Sequence, residues 1–241
     1  MTRLLVRKGR EHASPLVEAQ PNRWALSPWA RGFRRIARRW VVARHVQRLC
    51  DPLEVVGLEH FSRVTTPLII ANHISHFDTL IVLSILPNHL YSRTAVAAAA
   101  DRFYTQKLKS AWYSLRYNAF PITRGGGQAA LTYSEWLLQR GWPLLIFPEG
   151  SRSKTDHLLP FHPGPAILAL RQRVPVVPVY IEGAANILPP GTQKARPAPV
   201  RVQVGPPLIF GERDTVATAR ARMEAAIWAL SQSHLLPAVA S

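Results

Sequence analysis

Two short polar blocks in the sequence each follow a run of apolar residues directly. The first block, residues 72–78, reads Asn-His-Ile-Ser-His-Phe-Asp and follows the apolar run 68–71. The second, residues 147–153, reads Phe-Pro-Glu-Gly-Ser-Arg-Ser and follows the apolar run 144–146. Open α/β sheets place their sites at the carboxyl ends of strands, so each block is a candidate site at the end of a predicted strand.

The first block contains a histidine and an aspartate at a spacing suited to general-base chemistry. His73 and Asp78 are five positions apart, and across a turn into a helix the carboxylate can reach one ring nitrogen. The carboxylate would fix the tautomer and stabilise the imidazolium, while the other nitrogen takes a proton from a substrate hydroxyl. A structural His–Asp pair that caps a helix is the alternative interpretation.

The sequence offers no protein nucleophile and a poor metal site. There is no Gly-x-Ser-x-Gly elbow, and Cys50 lies beside an arginine-rich segment, so we expect the pair to activate an acceptor hydroxyl directly, without a covalent intermediate. His73, His76 and Asp78 resemble the His-x-His-x-Asp-His ligands of metallo-hydrolases. The first spacing is one residue too long, however, and Thr79 stands where the last histidine belongs. We expect no metal.

The second block combines a turn with a candidate anion clamp. Gly150 and Ser151 suit a tight turn with exposed backbone N–H groups, and Arg152 can hold a phosphate bidentately. Glu149 could orient Arg152 or accept a hydrogen bond from a substrate hydroxyl. The alternative is a surface turn in which the two charges pair with each other. Arg124, which follows the short apolar run 119–122, is a second candidate for phosphate.

Alternation of strand and helix patterns predicts the fold that must position these blocks. The predicted strands are 53–56, 67–71, 94–99, 119–122, 143–147, 174–181 and 200–204, and the predicted helices are 79–86, 104–117, 128–139, 165–171 and 215–231. This order favours an α/β fold, a single domain with a largely parallel mixed sheet flanked by helices and preceded by a basic amphipathic N-terminal helix. Pro175 and Pro178 predict an edge or distorted strand at 174–181.

Composition limits the class of protein. Hydrophobic residues make up 47% of the 241 positions, which excludes a disordered chain. One cysteine excludes an intrachain disulfide framework and a cysteine-based zinc site. No apolar run reaches 18 residues, so no spanning helix is predicted. The Met1 end has no apolar core of about 7–15 residues, so no secretory leader is predicted either. The net charge of +16 calls for an anionic partner, either nucleic acid, a membrane surface or a phosphorylated substrate.

The charge is concentrated at one end of the chain. Residues 1–50 contain 12 basic and two acidic residues, so we predict two parts: a basic leader with an amphipathic helix over 1–50 and a catalytic domain over 51–241. Ser27 and Pro28 begin the helix, and Asp51-Pro52 ends it. One face carries Trp29, Phe33, Ile36, Trp40 and Ala43. The opposite face carries Arg31, Arg34, Arg35 and Arg38. A second apolar row consists of Val42, Val46 and Leu49.

Three interpretations of this helix are open. It could pack on its own domain, lie in a membrane interface, or act as a nucleic-acid arm. The chain contains no nucleic-acid-binding motif, so no nucleic-acid partner is expected. We favour an interfacial helix at residues 28–50 on an anionic membrane, with the first apolar row and the arginines toward lipid and the second row toward the domain.

In combination and in this order, the blocks resemble those of the glycerophospholipid acyltransferase superfamily, and within it the 1-acyl-sn-glycerol-3-phosphate (lysophosphatidic acid) acyltransferases. The resemblance implies transfer of a fatty acyl chain from acyl-CoA or acyl-carrier protein to the free hydroxyl of a lysophospholipid, giving phosphatidate from 1-acylglycerol-3-phosphate. It implies His73 as the base and Asp78 as its orienting partner. It implies substrate-binding roles for Arg124, Glu149, Gly150, Ser151 and Arg152. No cofactor is implied besides the acyl donor.

The sequence departs from the family pattern near the expected phosphate site. Many members have a lysine where this chain reads Ala97–Arg102, and His162 replaces another common lysine. A different lipid acceptor, or a non-catalytic lipid-binding relative, therefore remains an alternative. Many bacterial relatives begin with a hydrophobic hairpin. Here residues 28–50 would take its place, and a peripheral location on the cytoplasmic face of the cell membrane is expected.

Overall fold

The fold is described from a computed structural model. The description covers residues 20–38, 42–123, 126–153, 157–189, 192 and 194–233. Its strands are β1 (Cys50–Val56), β2 (Leu68–Ala71), β3 (Ala95–Ala99), β4 (Ala119–Ile122), β5 (Leu144–Ile146), β6 (Val176–Glu182) and β7 (Ala198–Val204). Its helices are α1 (Pro28–Ala37), α2 (Ala43–Leu49), α3 (Asp78–Ile85), α4 (Asn88–Tyr91), α5 (Ala100–Phe103), α6 (Lys107–Tyr117), α7 (Gly127–Gln139), α8 (Gly164–Gln172) and α9 (Val216–Gln232).

The strands form one mixed sheet in the order β1-β7-β6-β2-β5-β3-β4. Every neighbouring pair is parallel except β6 and β7. Helices cover both faces, and β2 shows why both faces are apolar. Ile69 and Ala71 point into one hydrophobic core, and Leu68 and Ile70 point into the other. The predicted α/β class with a largely parallel mixed sheet is confirmed.

The sequence left two alternatives for the proline-containing strand, an edge or a distorted strand, and the edge position is wrong. β6 lies inside the sheet between β7 and β2. Pro178 is tolerated there because its ring nitrogen faces the point where β7 has ended, at Gly205. The backbone N–H of Gly205 still donates to the Pro178 carbonyl at 2.9 Å. A proline therefore fits an interior strand where the neighbouring ladder stops.

The N-terminal segment forms two helices that pack on the domain. Ser27 caps α1 by accepting a hydrogen bond from the Ala30 N–H, as predicted. Val42 and Val46 are buried in the core, so the second apolar row faces the domain. Trp40 lies outside the described residues, and the division at residue 50 stays a prediction. Among the described helices, none has the length and hydropathy needed to cross a bilayer.

The arginines of α1 do not all face outward, which corrects the predicted charged face. Arg34 is only 2% exposed. Its guanidinium donates to the carbonyls of Ala25, Ser92 and Leu115 at 2.9, 3.3 and 3.3 Å. Burial lowers the pKa of Arg34 to about 10. This side chain therefore attaches α1 to the domain instead of meeting an anionic surface.

Arg38 plays a similar part at the end of the same helix. Its guanidinium donates to the carbonyls of Ser84 and Leu86 and stacks over the Tyr91 ring at 4.7 Å. Arg35, in contrast, is exposed, and its hydrogen bond to the domain is long, from Nε to the Ser92 hydroxyl at 3.4 Å. Two of the four arginines on the predicted charged face are thus used for packing.

Replacing Arg34 with leucine should destabilise the protein. We expect Arg34→Leu to lower the free energy of unfolding by about 2–4 kcal/mol, because two buried carbonyls and one partly buried carbonyl lose their donor. Arg35→Leu, one position along the helix and exposed, is the matched control and should change it by no more than about 0.5 kcal/mol. Chemical denaturation measures both. Equal effects of the two substitutions would contradict the packing role.

Candidate active site

The turn that follows β2 is fixed to the neighbouring strand by a side chain. Asn72 is buried, and its amide accepts from the N–H of Ile181 at 2.7 Å and donates to the carbonyl of the same residue at 2.8 Å. The side chain thus continues the hydrogen-bond ladder onto β6 after β2 has ended. This contact fixes the position from which the next residue, His73, projects.

His73 and Asp78 form the expected pair. Nδ1 of His73 lies 2.8 Å from Oδ2 of Asp78, the first residue of α3. The same oxygen accepts the backbone N–H groups of Ile74 and Ser75, each at 2.7 Å. A carboxylate that accepts from Nδ1–H leaves Nε2 of the ring as the unprotonated nitrogen. The arrangement fixes both the tautomer and the orientation of the imidazole.

The Asp78 carboxyl is held in a costly environment. It is 0% exposed, and burial raises its pKa, an effect that the hydrogen bonds from His73, Ser75 and Ile74 oppose. Oδ1 has no hydrogen-bond partner among the described residues. The hydrogen bonds that this carboxyl makes with the described residues therefore all meet at Oδ2, the oxygen that faces His73.

Glu149 supports His73 from the other block. Its Oε1 accepts the backbone N–H of His73 at 2.7 Å, and its Oε2 accepts that of Leu159 at 3.0 Å. The side chain is buried, and burial raises its pKa. Both oxygens are engaged by backbone groups, and the residue does not line the cavity described below. Glu149 therefore positions His73, which differs from the predicted contact with a substrate or with Arg152.

The second block holds the histidine at two further points. The backbone N–H of Ser153 donates to the His73 carbonyl at 2.8 Å. The imidazole stacks on the Phe147 ring with centroids 4.3 Å apart. The backbone N–H and carbonyl of His73 are therefore both hydrogen-bonded. Its ring is held by Asp78 at one edge and by Phe147 on one face.

A cavity of about 1360 Å³ opens in front of the histidine ring. Much of its wall is apolar and comes from β3, β4, α6 and α7, including Ala97, Ala98, Tyr113, Ile122 and Leu131. Its polar side chains include His73, His76, Arg102, Ser151, Arg152 and His162. An elongated apolar ligand with an anionic end has matching surroundings here.

Two guanidinium groups accompany the histidine in this cavity. Nη2 of Arg102 lies 3.3 Å from Nε2 of His76. The pKa of His76 is lowered by burial first and then by Arg152 and Arg102. The pKa of Arg152 is lowered by burial and then by Arg102. This mutual influence places both arginines in the same region, and an anion bound there would relieve their repulsion.

The remaining predicted residues are placed as follows. Gly150 and Ser151 line the cavity with Arg152, and Gly150 adopts the left-handed conformation (φ 67°) that a tight turn after β5 requires. Arg124 lies outside the described residues. No group of three or more potential metal ligands comes together in the part of the chain that is described.

The sequence patterns predict no role for Asn72 or Ser153, which belong to the two blocks, or for Arg102, which ends the stretch Ala97–Arg102. Their roles depend on contacts with β6, His73 and His76, which are distant in sequence. The one local signal was the position of an amide side chain directly after an apolar strand.

Residues 52–182 match the family model described as Acyltransferase, and the chain belongs to this family. Similar relatives include 1-acyl-sn-glycerol-3-phosphate acyltransferases from Cocos nucifera, 31% identical over 164 residues, and from Limnanthes alba, 30% identical over 161 residues. The matches cover 66% and 65% of this chain and 51% and 54% of those relatives. The chain thus spans about half the length of the curated relatives it matches.

A solved structure has the same fold. It is the 1-acyl-sn-glycerophosphate (LPA) acyltransferase PlsC from Thermotoga maritima, with a TM-score of 0.63 and 22% sequence identity. The match covers 85% of this chain and 78% of that one. At this identity the likeness supports the architecture of the sheet and its helices.

The stability of the protein should depend on pH through Asp78. Folding raises the pKa of Asp78, so the stability associated with this group is complete at acidic pH and is lost as pH rises through the raised value. Asp78→Asn removes this dependence because an amide does not titrate. The amide oxygen can still accept hydrogen bonds at the Oδ2 position. We expect the free energy of unfolding of the variant, relative to wild type, to increase as pH rises above about 4.

Asp214→Asn is a control with the opposite sign. The Gly211 N–H lowers the pKa of Asp214, assisted by Arg222, so the wild-type carboxylate stabilises the fold above the unfolded pKa. That variant should therefore lose stability relative to wild type as pH rises toward about 4, below the range in which Asp78 acts, with no further change above it. Denaturation at several pH values measures both. Parallel curves for Asp78→Asn and wild type would contradict the burial effect.

Proposed function

We propose that this protein transfers a fatty acyl chain from a thioester donor to the free hydroxyl of a lysophospholipid. The observation that carries the proposal is the 2.8 Å contact between His73 and Asp78 beside a large, mainly apolar cavity. Membership of the Acyltransferase family and the names of the relatives support it. The donor is acyl-CoA or acyl-carrier protein, and no other cofactor takes part.

The proposed reaction is a direct transfer. Nε2 of His73 removes the proton of the acceptor hydroxyl as that oxygen attacks the thioester carbonyl carbon. A carbon–oxygen bond forms, and the collapse of the tetrahedral intermediate breaks the carbon–sulfur bond. The proton held by His73 passes to the departing thiolate, which leaves the imidazole neutral again. Asp78 stabilises the imidazolium between these two steps.

We propose 1-acylglycerol-3-phosphate as the acceptor and phosphatidate as the product. The two cavity arginines, Arg102 and Arg152, support an acceptor with a phosphate group near His73. Arg102 supplies a cation in the region where many relatives have a lysine. Arg124 keeps its proposed role at the phosphate.

We further propose that the protein works at the cytoplasmic face of the cell membrane as a peripheral protein. Trp29, Phe33 and Ile36 on α1 are 58%, 38% and 66% exposed, which supports contact with a bilayer interface through this helix. Acceptors of this class partition into bilayers, so attachment would bring the cavity to its substrate.

Replacing the proposed base should abolish transfer without unfolding the protein. We expect His73→Ala to lower kcat by roughly 10²–10⁴-fold, the usual contribution of a general base. His89→Ala, an exposed histidine outside the cavity, should keep the wild-type rate. The assay is mass-spectrometric product analysis with a panel of lysophospholipids and both donor types. An unchanged rate in His73→Ala would exclude the base assignment, and a preferred acceptor without a phosphate monoester would identify a different lipid substrate.

Replacing a cavity arginine should weaken binding of the phosphorylated acceptor specifically. We expect Arg152→Ala to raise KM for 1-acylglycerol-3-phosphate by roughly tenfold or more, since hydrogen bonds to charged groups are worth about 1.5–3 kcal/mol. The weak transfer to an acceptor without the phosphate should change little. Steady-state kinetics with the two acceptors separates these effects, and an equal rise in both KM values would argue against a phosphate contact.

A further inference from the structure

Helix α6 has its apolar and polar faces arranged in an unusual way. Leu108 and Trp112, four positions apart, are 88% and 52% exposed, while Ser110 and Ser114 are buried. The hydroxyls of these two serines donate to the carbonyls of Lys107 and Ala119 at 2.8 and 2.9 Å. The polar residues are thus satisfied inside, and the large apolar ones point outward. Exposing large apolar side chains to water is unfavourable, whereas contact with an apolar medium would bury them.

Helices α6 and α1, each with an exposed apolar row, pack against each other. Arg34 of α1 donates to the Leu115 carbonyl at 3.3 Å, and the amide of Asn22, which precedes α1, donates to the Ser110 hydroxyl at 3.4 Å. We call the exposed apolar residues of the two helices, together with Trp24, which stacks on Trp29 with ring centroids 5.4 Å apart, the aromatic surface. It consists of Trp24, Trp29, Phe33, Ile36, Leu108 and Trp112.

The charge around the aromatic surface is positive. Lys107 and Lys109 flank Leu108 on α6, and Arg35 follows Arg34 in α1; all three are exposed. Aromatic and aliphatic side chains bordered by exposed cations match the interface of a bilayer that contains anionic phospholipid. An acidic protein partner would be attracted mainly by the exposed cations. The exposed apolar side chains of the aromatic surface do not favour such a partner.

The same helix also forms a wall of the cavity. Tyr113 and Tyr117, on the row next to Trp112, line the cavity, and Phe103 packs edge-on against Tyr113 at 5.0 Å. One side of α6 therefore faces outward with apolar residues while the adjacent side faces the cavity. Arg102, at the start of this region, is exposed and lines the cavity as well.

We propose that α6 is a second membrane-contact helix, and that its outer row inserts into an anionic phospholipid surface together with α1. The lipid acceptor then enters the cavity along α6, past the tyrosine row. The part about lipid entry rests on the proposed function, whereas the membrane contact of α6 does not.

The test compares matched double variants in vesicle flotation. Leu108→Glu/Trp112→Glu should bind vesicles of phosphatidylcholine and phosphatidylglycerol at least about tenfold more weakly than wild type, because two apolar side chains no longer insert. Ile209→Glu/Trp228→Glu changes two side chains with similar exposure, 64% and 61%, outside α1 and α6. This control should float like wild type, and far-UV circular dichroism should show all three proteins folded.

Activity distinguishes the entry route from the chemistry. The α6 double variant should lose acyl transfer to acceptor embedded in vesicles but keep it with a short-chain lysophosphatidate that is monomeric in water. Loss with both acceptors would overturn the entry route. If wild type itself transfers no acyl chain, the proposed function fails while the flotation result still tests the membrane contact.

Two outcomes would overturn the membrane contact. One is flotation of the α6 double variant at the wild-type level. The other is a dimeric wild type that becomes monomeric in this variant, by size-exclusion chromatography, without any loss of flotation. In the second case the aromatic surface would bind another copy of the chain.

Discussion

Two buried carboxylates hold one histidine, and much of the fold is needed to bring them there. Asp78 fixes the ring of His73 from the start of α3, and Glu149 fixes its backbone from the turn after β5. Burying a carboxylate is costly unless hydrogen-bond donors surround it. Each of these two carboxylates therefore needs N–H donors that only the folded chain brings close. The parallel pairing of β2 with β5 satisfies this requirement, because it places the ends of both strands side by side.

The chain uses its positive charge in two ways. Arg34 and Arg38 are turned toward backbone carbonyls and fasten α1 to the domain, while exposed cations on α1 and α6 surround apolar side chains. The high net charge is therefore partly structural. The cavity contains a third and smaller group, Arg102 and Arg152; burial and then Arg102 lower the pKa of Arg152, which suits an anionic ligand.

Much of the fold followed from local patterns. The strand at 119–122 is observed at its predicted bounds, and the His73–Asp78 contact was expected from a spacing of five across a turn. The role of Glu149 could not be predicted, because it depends on which backbone groups of another strand end lie nearby. The burial of Arg34 was hidden for a similar reason: helical periodicity defines opposite faces but does not say which face meets the domain. The edge position predicted from Pro178 was wrong because an interior strand accepts a proline at the point where the neighbouring strand, β7, ends.

The attachment of α1 has a consequence for ionic strength. Arg34 is held by neutral carbonyl dipoles in a buried place, where dissolved ions screen little, whereas attraction between exposed cations and anionic lipid weakens as salt is added. Salt would therefore release the whole protein from a charged surface with α1 still docked. The helix stays attached to the domain, so on the proposed membrane its exposed apolar row would keep a fixed distance from His73.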